Sequence, residues 1–261
     1  MRIQRGNPNA TGVLPIALMK ATKVIQTLLP AGKEYICVMR LHKEISEPKI
    51  HRIAAEFVGE IYQRPPVRSS VVRRLRIREI YYLDILEIKD KYILFKIGCQ
   101  AGFYVRMLCH HLGLAFGTGA HMRELRRTRA GPFREDETLI TLYELKDAIV
   151  WYRENMDETP LRHCILPLEY ALNHIPKIII RDSAIDAVCH GAELAAPGVL
   201  QLDSKIEKGS IVAIFSLKGE AVALGRAILN TSEILEAESG LVAETNKVLM
   251  ERGTYPPYKK L

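Results

Sequence analysis

The sequence has few cysteines, no long apolar run and no low-complexity tract. Five cysteines, an odd number without a Cys-x-x-Cys pair, occur among 261 residues, so we expect a reducing environment and neither a disulfide framework nor a structural zinc site. No window approaches the ~20 uncharged apolar residues of a membrane helix, and residues 1–6 lack the apolar run of a secretory signal. With 48% hydrophobic and 26% charged residues, the chain is typical of a globular protein with one large or two modest domains.

The positive charge is concentrated in two segments. The formal net charge is +7, and the first segment contains arginine without any acidic residue: Arg64, Arg68, Arg73, Arg74, Arg76 and Arg78. The second is interrupted only by Glu124: Arg123, Arg126, Arg127, Arg129 and Arg134. A solvated charged face is the ordinary explanation of one such cluster. Two arginine clusters favour RNA binding, because guanidinium groups match phosphate oxygens and stack on bases.

Hydrophobic periodicity predicts a mixture of helices and strands. Helices are expected over 14–29, after a cap at Ser46, over 104–116, from Thr141 through residue 150, and over 182–191; strands are expected over 34–41, 80–88, 92–99, 177–180, 211–216 and 221–228. Pro65 and Pro66 place the first arginine cluster in a loop or at a sheet edge, because proline cannot donate to a strand ladder. The polar segment 153–160 predicts a connector to a second, mostly β domain.

Generic catalytic motifs are absent from the sequence. It contains no recognisable Ser-His-Asp arrangement, phosphate-binding glycine loop or His-Glu-x-x-His motif. His110 and His111 are adjacent, so on a helix they point to different sides and do not readily share a metal ion. Structural histidines are the favoured interpretation of this pair.

Five segments in order carry a more specific signal. They are Thr11-Gly12-Val13-Leu14-Pro15-Ile16-Ala17-Leu18, Gly32-Lys33-Glu34-Tyr35, Gln63-Arg64-Pro65-Pro66-Val67-Arg68-Ser69, Gly102-Phe103-Tyr104-Val105-Arg106 and Leu125-Arg126-Arg127-Thr128-Arg129-Ala130-Gly131-Pro132-Phe133. Together they resemble the TruB-type RNA pseudouridine synthases, in particular the dyskerin-like archaeal and eukaryotic branch. Segments near Arg181, His190, Ala196 and Val222 resemble the PUA RNA-binding module of that branch.

The resemblance implies an α+β fold with two domains. A pseudouridine synthase domain with a mixed, largely antiparallel sheet and helices is expected over residues 1–160, followed by a small, mostly β PUA domain over 176–250. The family's Lys-Pro-x-Gly-x-Thr-Ser segment does not occur, so the first domain is expected to be N-terminally incomplete. The family requires no cofactor. It acts on tRNA and, with H/ACA guide RNA and small companion proteins, on rRNA, in the cytoplasm or in the eukaryotic nucleolus, with no membrane partner.

The resemblance also implies a uracil pocket. The family motif Gly-Thr-Leu-Asp-Pro aligns its proline with Pro8, so Asn7 occupies the position of the catalytic aspartate. An amide is a poor nucleophile and no useful base. Tyr35 is expected to stack on the target uracil, although a core tyrosine is the plain alternative, and Arg106 is expected to position the group at residue 7.

The remaining implied site residues line the pocket or contact RNA. Tyr104 and Leu125 are expected in the pocket wall. The expected RNA contacts are Lys33, Arg64, Arg68, Arg73, Arg74, Arg76, Arg126, Arg127 and Arg129. The resulting hypothesis is a synthase that converts uridine to pseudouridine in the tRNA T-loop, at guide-selected rRNA sites, or both. Asn7 motivates the alternative of a catalytically impaired or truncated RNA-binding relative, and a third possibility is that only the C-terminal module functions, as an RNA clamp.

Overall fold

The computed structural model describes residues 10–66 and 72–257, so the predicted site residues Asn7 and Arg68 lie outside the described part of the chain. The described residues form two compact units. The larger contains residues 10–16 and 29–164, and the smaller contains residues 17–28 and 165–257. Each unit has its own sheet and its own buried core.

The helices and strands are numbered here in chain order. They are β1 (Ala10–Gly12), a 3-10 helix (Met19–Lys23), α1 (Ile25–Leu28), β2 (Lys33–Leu41), α2 (Glu47–Ala55), β3 (Gly59–Gln63), β4 (Arg76–Lys89), β5 (Tyr92–Cys99), α3 (Val105–Phe116), β6 (Ala120–Ala130), β7 (Phe133–Arg134), α4 (Leu142–Asn155), α5 (Thr159–Cys164), a 3-10 helix (Leu168–Leu172), β8 (Lys177–Ile180), α6 (Asp182–Cys189), β9 (Leu194–Ala195), a 3-10 helix (Ala196–Gly198), β10 (Val199–Leu202), β11 (Ile211–Ser216), β12 (Ala221–Ala227), α7 (Thr231–Glu236) and β13 (Leu241–Val248).

The sheet of the larger unit is mixed and largely antiparallel. Its strand order is β1-β6-β2-β5-β4-β3, with β7 also paired to β6. β1 runs parallel to β6, whereas the other neighbours run antiparallel. β3 is an edge strand that leads into Arg64, Pro65 and Pro66. Proline has no N–H group to donate, and at this position no strand ladder requires one. The predicted fold class is therefore confirmed.

One face of this sheet is covered by α2 and α3. Alternate residues of β2 point to that face, and Cys37, Met39 and Leu41 are buried there. The sulfur atoms of Cys37 and of Cys109 in α3 lie 3.7 Å apart, so α3 packs directly on β2. Ser46 stands at the N-cap of α2 as predicted, but its side chain makes no capping hydrogen bond.

The expected hairpin over 80–99 is present and longer than predicted. β4 already begins at Arg76, so the last two arginines of the first cluster lie in a strand. Asp90 turns the chain with a left-handed φ of 52°, a conformation that aspartate tolerates better than most residues. The predicted capping box of Thr141 and Glu144 is also confirmed, and α4 continues to Asn155.

The single helix predicted over 14–29 is wrong. The chain instead contains the 3-10 helix at Met19–Lys23 and the four-residue α1. Val13 N–H donates to the Arg127 carbonyl at 2.8 Å, and Met19 adopts a left-handed φ of 46° that interrupts a helical path. Tertiary pairing therefore overrides the local helical pattern. The predicted connector also differs, since α4 and α5 occupy most of residues 153–160.

The smaller unit is mostly β, as predicted. Its strand order is β10-β8-β11-β12-β13-β9, and β11 pairs with β12 as the expected hairpin. Ile178, Val212 and Val222 are fully buried between this sheet and α6. α6 begins at Asp182 itself, with Arg181 at the N-cap. No helix in the described ranges is long and apolar enough to cross a bilayer.

Candidate active site

Three predicted site residues meet on the helix-covered face of the larger sheet. The register pairs Tyr35 with Arg127 across β2 and β6, and Cys37 with Leu125. β1 lies on the other side of β6 and pairs Ala10 with Leu125. Because side chains on one face alternate along each strand, Tyr35, Leu125 and Arg127 are neighbours beside β1, which begins three positions after residue 7.

Tyr35 presents a neutral aromatic ring in this cluster. The side chain is half-buried and packs against the core that contains Leu125. Burial raises the pKa of the Tyr35 hydroxyl, while the hydrogen bond and the charge of Arg127 oppose that rise without reversing it. The phenol therefore stays protonated at neutral pH, and its ring is available as an uncharged stacking surface.

Arg127 has a different role from the predicted phosphate contact. Arg127 is only 9% exposed, and its Nε donates to the Val13 carbonyl at 2.7 Å. Gly12 permits the main chain of β1 to approach that of Arg127. It has a φ of +93°, and a Cβ there would lie 2.1 Å from the Arg127 carbonyl oxygen. The guanidinium group also acts on the Tyr35 hydroxyl, whose pKa it lowers against the effect of burial. Arg127 therefore joins the segment after β1 to the aromatic residue and is not free to bind an RNA phosphate.

Lys33 is likewise buried, in disagreement with its prediction as an RNA contact. It is 5% exposed, and its Nζ donates to the carbonyls of Leu29 and Ala31 at 2.8 and 2.6 Å. Burial, with a smaller contribution from the charge of Arg127, lowers the pKa of Lys33 to about 8. Lys33 therefore fixes the loop that precedes β2.

The other arginines of β6 lie closer to solvent. Arg126 is exposed and forms a two-pronged ion pair with Glu135, in which Nε lies 2.9 Å from each carboxylate oxygen. Arg129 is half-buried, and its Nε has no hydrogen-bond partner among the residues that the structure describes. Both side chains keep part of their guanidinium group available to an anionic ligand.

The opposite sheet face carries a separate polar network centred on Glu34. The Glu34 carboxylate accepts from Thr128 Oγ1 at 2.7 Å, forms a short hydrogen bond with the Tyr82 hydroxyl, and lies 3.3 Å from Lys96 Nζ. Desolvation would raise the pKa of Glu34, but these three partners outweigh it and lower the pKa. The network anchors β2 to β4, β5 and β6.

The start of α3 holds the two remaining predicted pocket residues. Tyr104 is the N-cap residue and Arg106 lies in the first helical turn. A cavity of about 410 Å³ opens beside this turn and is lined by Pro66, Arg73, Arg106, Met107, His110, Ala120, His121 and Met122. The predicted catalytic arginine and two residues of the arginine-rich segment, Pro66 and Arg73, therefore line the same cavity.

The arginine-rich segment is accessible where the structure describes it. Arg64, Arg73 and Arg74 are exposed, and Arg76 is half-buried at the start of β4. Arg73 Nε donates to the Pro65 carbonyl at 3.3 Å, which folds the segment back on itself. The three exposed side chains are open to solvent, as the predicted phosphate contacts require. In the described ranges, no group of three or more His, Cys, Asp or Glu side chains is placed to hold a metal ion.

Comparisons with known proteins decide the family. The TruB family pseudouridylate synthase N-terminal domain matches residues 7–48, the tRNA pseudouridylate synthase B C-terminal domain matches residues 106–173, and the PUA domain matches residues 176–249. A probable tRNA pseudouridine synthase B of Methanopyrus kandleri is 56% identical over 250 residues, which are 96% of this chain and 74% of that protein. The chain belongs to the TruB family of pseudouridine synthases.

Solved structures with the same fold support the TruB assignment. A Cbf5 chain in a Cbf5-Nop10-Gar1 complex is 52% identical, with a TM-score of 0.93 over 97% of this chain and 77% of that one. A chain of an H/ACA RNP bound to a substrate RNA containing 2′-deoxyuridine is 49% identical, with a TM-score of 0.91 over 98% of this chain and 78% of that one.

Sequence reasoning missed one buried polar residue of this TruB-family site. Gln63 of β3 is 2% exposed and hydrogen-bonds to the main chain of Tyr104. The signal was present, because Gln63 follows Ile61 at strand spacing and Ile61 packs against the core. The functional prediction for this segment was based on its arginines, and Gln63 was given no role of its own.

Proposed function

We propose that this chain is an RNA pseudouridine synthase that acts on the tRNA T-loop uridine, on guide-RNA-selected rRNA uridines, or on both. The observation that carries the proposal is the grouping of Tyr35, Leu125 and Arg127 on one sheet face beside β1. This face offers an aromatic ring, an apolar wall and a fixed cation next to the segment that follows residue 7. Such a set suits a flat uracil base that has left its stack.

The reaction is an isomerisation, so it needs no external redox partner. The C1′–N1 glycosidic bond of uridine breaks, the uracil turns, C5 bonds to C1′, and the proton on C5 is transferred away while N1 gains one. A neutral Tyr35 ring holds the detached uracil by stacking, and Leu125 excludes water on one side. Arg127 holds the segment after β1 next to Tyr35.

The arginine-rich segment supplies the affinity for the sugar-phosphate chain. Arg64, Arg73 and Arg74 are exposed, and Arg73 lines the same cavity as Arg106. Phosphate contacts of this kind give affinity that falls steeply with salt and carries little sequence information. Selection of the target uridine is therefore assigned to RNA shape or to guide pairing rather than to these side chains.

Partner proteins are part of the proposal. The matching solved chains are in complexes with Nop10 and Gar1 or in an H/ACA RNP. With about half of its residues identical over nearly its whole length, this chain is proposed to bind H/ACA guide RNA and the same class of small companion proteins. The PUA domain is proposed to contact that RNA.

Asn7 gives the second candidate function, an RNA-binding relative with impaired catalysis. The family motif has a carboxylate at this position, and a neutral amide cannot attack C1′ or accept a sugar proton. Loss of one member of a site that acts as a unit costs several orders of magnitude in rate. The two candidates therefore differ in turnover and agree in RNA binding.

The test measures pseudouridine in T-loop RNA and in guide-paired rRNA fragments, with and without the companion proteins. The parent chain is compared with Asn7→Asp and Asn7→Ala. Product from the parent, increased at least about 100-fold by Asn7→Asp, supports the synthase. Product from Asn7→Asp but not from the parent would support the second candidate, and salt-dependent RNA binding without product from either chain would refute the synthase.

A further inference from the structure

Gln63 is a buried amide at the root of the arginine-rich segment. It is the last residue of the edge strand β3 and is 2% exposed. A buried amide that has lost its contacts with water is destabilising unless it forms hydrogen bonds within the protein. The next residues are Arg64, Pro65 and Pro66, which start the segment.

Both partners of the Gln63 amide belong to one distant residue. Gln63 Oε1 accepts from the Tyr104 main-chain N–H at 3.0 Å, and Gln63 Nε2 donates to the Tyr104 carbonyl at 3.2 Å. The two residues are 41 positions apart. Two bonds to the two peptide groups of one residue restrain its φ and ψ together, and here they hold Tyr104 in an extended conformation with φ −113° and ψ 100°.

The restrained residue determines how α3 begins. Tyr104 is the N-cap of α3, and its own side chain makes no capping hydrogen bond. Its backbone conformation therefore depends on outside contacts more than that of a self-capped helix does. Arg106 follows two residues later in the first turn, so a rotation at Tyr104 would displace both the tyrosine ring and the guanidinium group.

Gln63 also connects two groups of residues that line the cavity. Pro66 and Arg73 come from the arginine-rich segment, and Arg106 and His110 come from α3. The arginine-rich segment follows Gln63 directly, while the Gln63 amide is bonded to the N-cap residue of α3. The two hydrogen bonds therefore link the start of the segment to the start of the helix.

We propose that Gln63 is a positioning residue for uridine isomerisation, acting through Tyr104 and Arg106 without touching the RNA. This inference rests on the proposed synthase function. It predicts that loss of the amide lowers the rate of the chemical step and leaves RNA affinity nearly unchanged, because the exposed phosphate contacts remain in place.

Three substitutions separate positioning from simple stability. Gln63→Leu keeps the size of the side chain and removes both hydrogen bonds. Gln63→Glu keeps the acceptor for Tyr104 N–H and places a carboxylate near the Tyr104 carbonyl, which only a protonated acid can satisfy. Gln201→Leu makes the same chemical change at an exposed strand position of the smaller unit and serves as the matched control.

The measurements are kcat and KM for pseudouridine formation, the melting temperature, and amide hydrogen exchange of the peptides around Tyr104. The parent chain and the Asn7→Asp background are both used. Gln63→Leu is expected to lower kcat about 10- to 100-fold, as misplacement by about 1 Å does, with KM within about threefold and faster exchange at Tyr104. For Gln63→Glu, kcat relative to that of the parent is expected to rise as the pH is lowered from about 8 to about 6, because the buried acid becomes protonated.

The inference fails if Gln63→Leu keeps kcat within about twofold of Gln201→Leu, if kcat falls only with the folded fraction, or if KM rises at constant kcat. It also fails if amide exchange at Tyr104 is unchanged. Absence of product from the parent and from Asn7→Asp refutes the synthase instead, and amide exchange then decides whether Gln63 positions Tyr104.

Discussion

Replacement of Lys33 by methionine tests whether a buried ammonium group limits stability in the larger unit. Lys33 is 5% exposed and donates to two carbonyls of the preceding loop. Burial is the main reason that its pKa falls from 10.5 to about 8. The folded protein therefore releases this proton more readily than the unfolded chain.

The size and the sign of the effect follow from proton linkage. Each pKa unit corresponds to about 1.36 kcal/mol, so the difference between 10.5 and about 8 corresponds to up to about 3 kcal/mol. Below about pH 8 both states bind the proton, and the folded state carries the full cost of the buried charge. Between about pH 8 and 10.5 the unfolded state binds more protons than the folded state. The contribution of Lys33 to the free energy of unfolding therefore increases as the pH rises.

The assay is urea unfolding of the parent and of Lys33→Met across this pH range. The difference in unfolding free energy, parent minus variant, is expected to rise by up to about 3 kcal/mol from about pH 8 to about pH 10.5. Lys89→Met changes an exposed strand lysine in the same unit and is the control for the general effect of charge. A Lys33→Met difference that stays flat within about 0.5 kcal/mol, or that matches the control, would refute the reasoning.

Three further predictions concern the opposite sheet face and the RNA surface. Gly98→Ala places a Cβ 2.3 Å from the Tyr82 ring, so it should cost about 1–3 kcal/mol in urea unfolding; an unchanged midpoint contradicts this close packing. Glu34→Gln should cost about 1–3 kcal/mol at neutral pH, and because the folded pKa of Glu34 is lowered, this difference should disappear as the pH falls below 4.5. Replacing Arg73 and Arg74 by serine should reduce the slope of log affinity against log salt by about 1–2 in an RNA filter-binding titration; an unchanged slope would show that neither side chain contacts phosphate.

The local part of the fold could be predicted because its causes lie within a few residues. The alternation of apolar side chains in β2, the turn at Asp90 between β4 and β5, and the reciprocal bonds of Thr141 and Glu144 are all short-range features. The ordered motifs also identified the family, since they depend only on residue types and their spacing. Exposure of Arg64, Arg73 and Arg74 agrees with the solvent access that phosphate contacts require.

The candidate site could be predicted only in part, because burial is decided by distant partners. The sequence alone marked Tyr35, Leu125 and Arg127 as site residues, but it did not distinguish an exposed arginine from a buried one. Arg127 is buried where it bonds to Val13, and this partner lies 114 residues away in the sequence. The same holds for Gln63, whose partner Tyr104 lies 41 residues away.

The amino-acid sequence by itself determined the family, the mixed fold class and the short-range elements, since each depends on the order of neighbouring side chains. The tertiary structure decided that residues 14–29 are not one helix, that Arg127 and Lys33 bind carbonyl groups of the protein, and that Gln63 bonds to the start of α3. A polar group removed from water must find a hydrogen-bond partner, and for Arg127 and Gln63 that partner lies in a distant part of the chain, which only folding brings close.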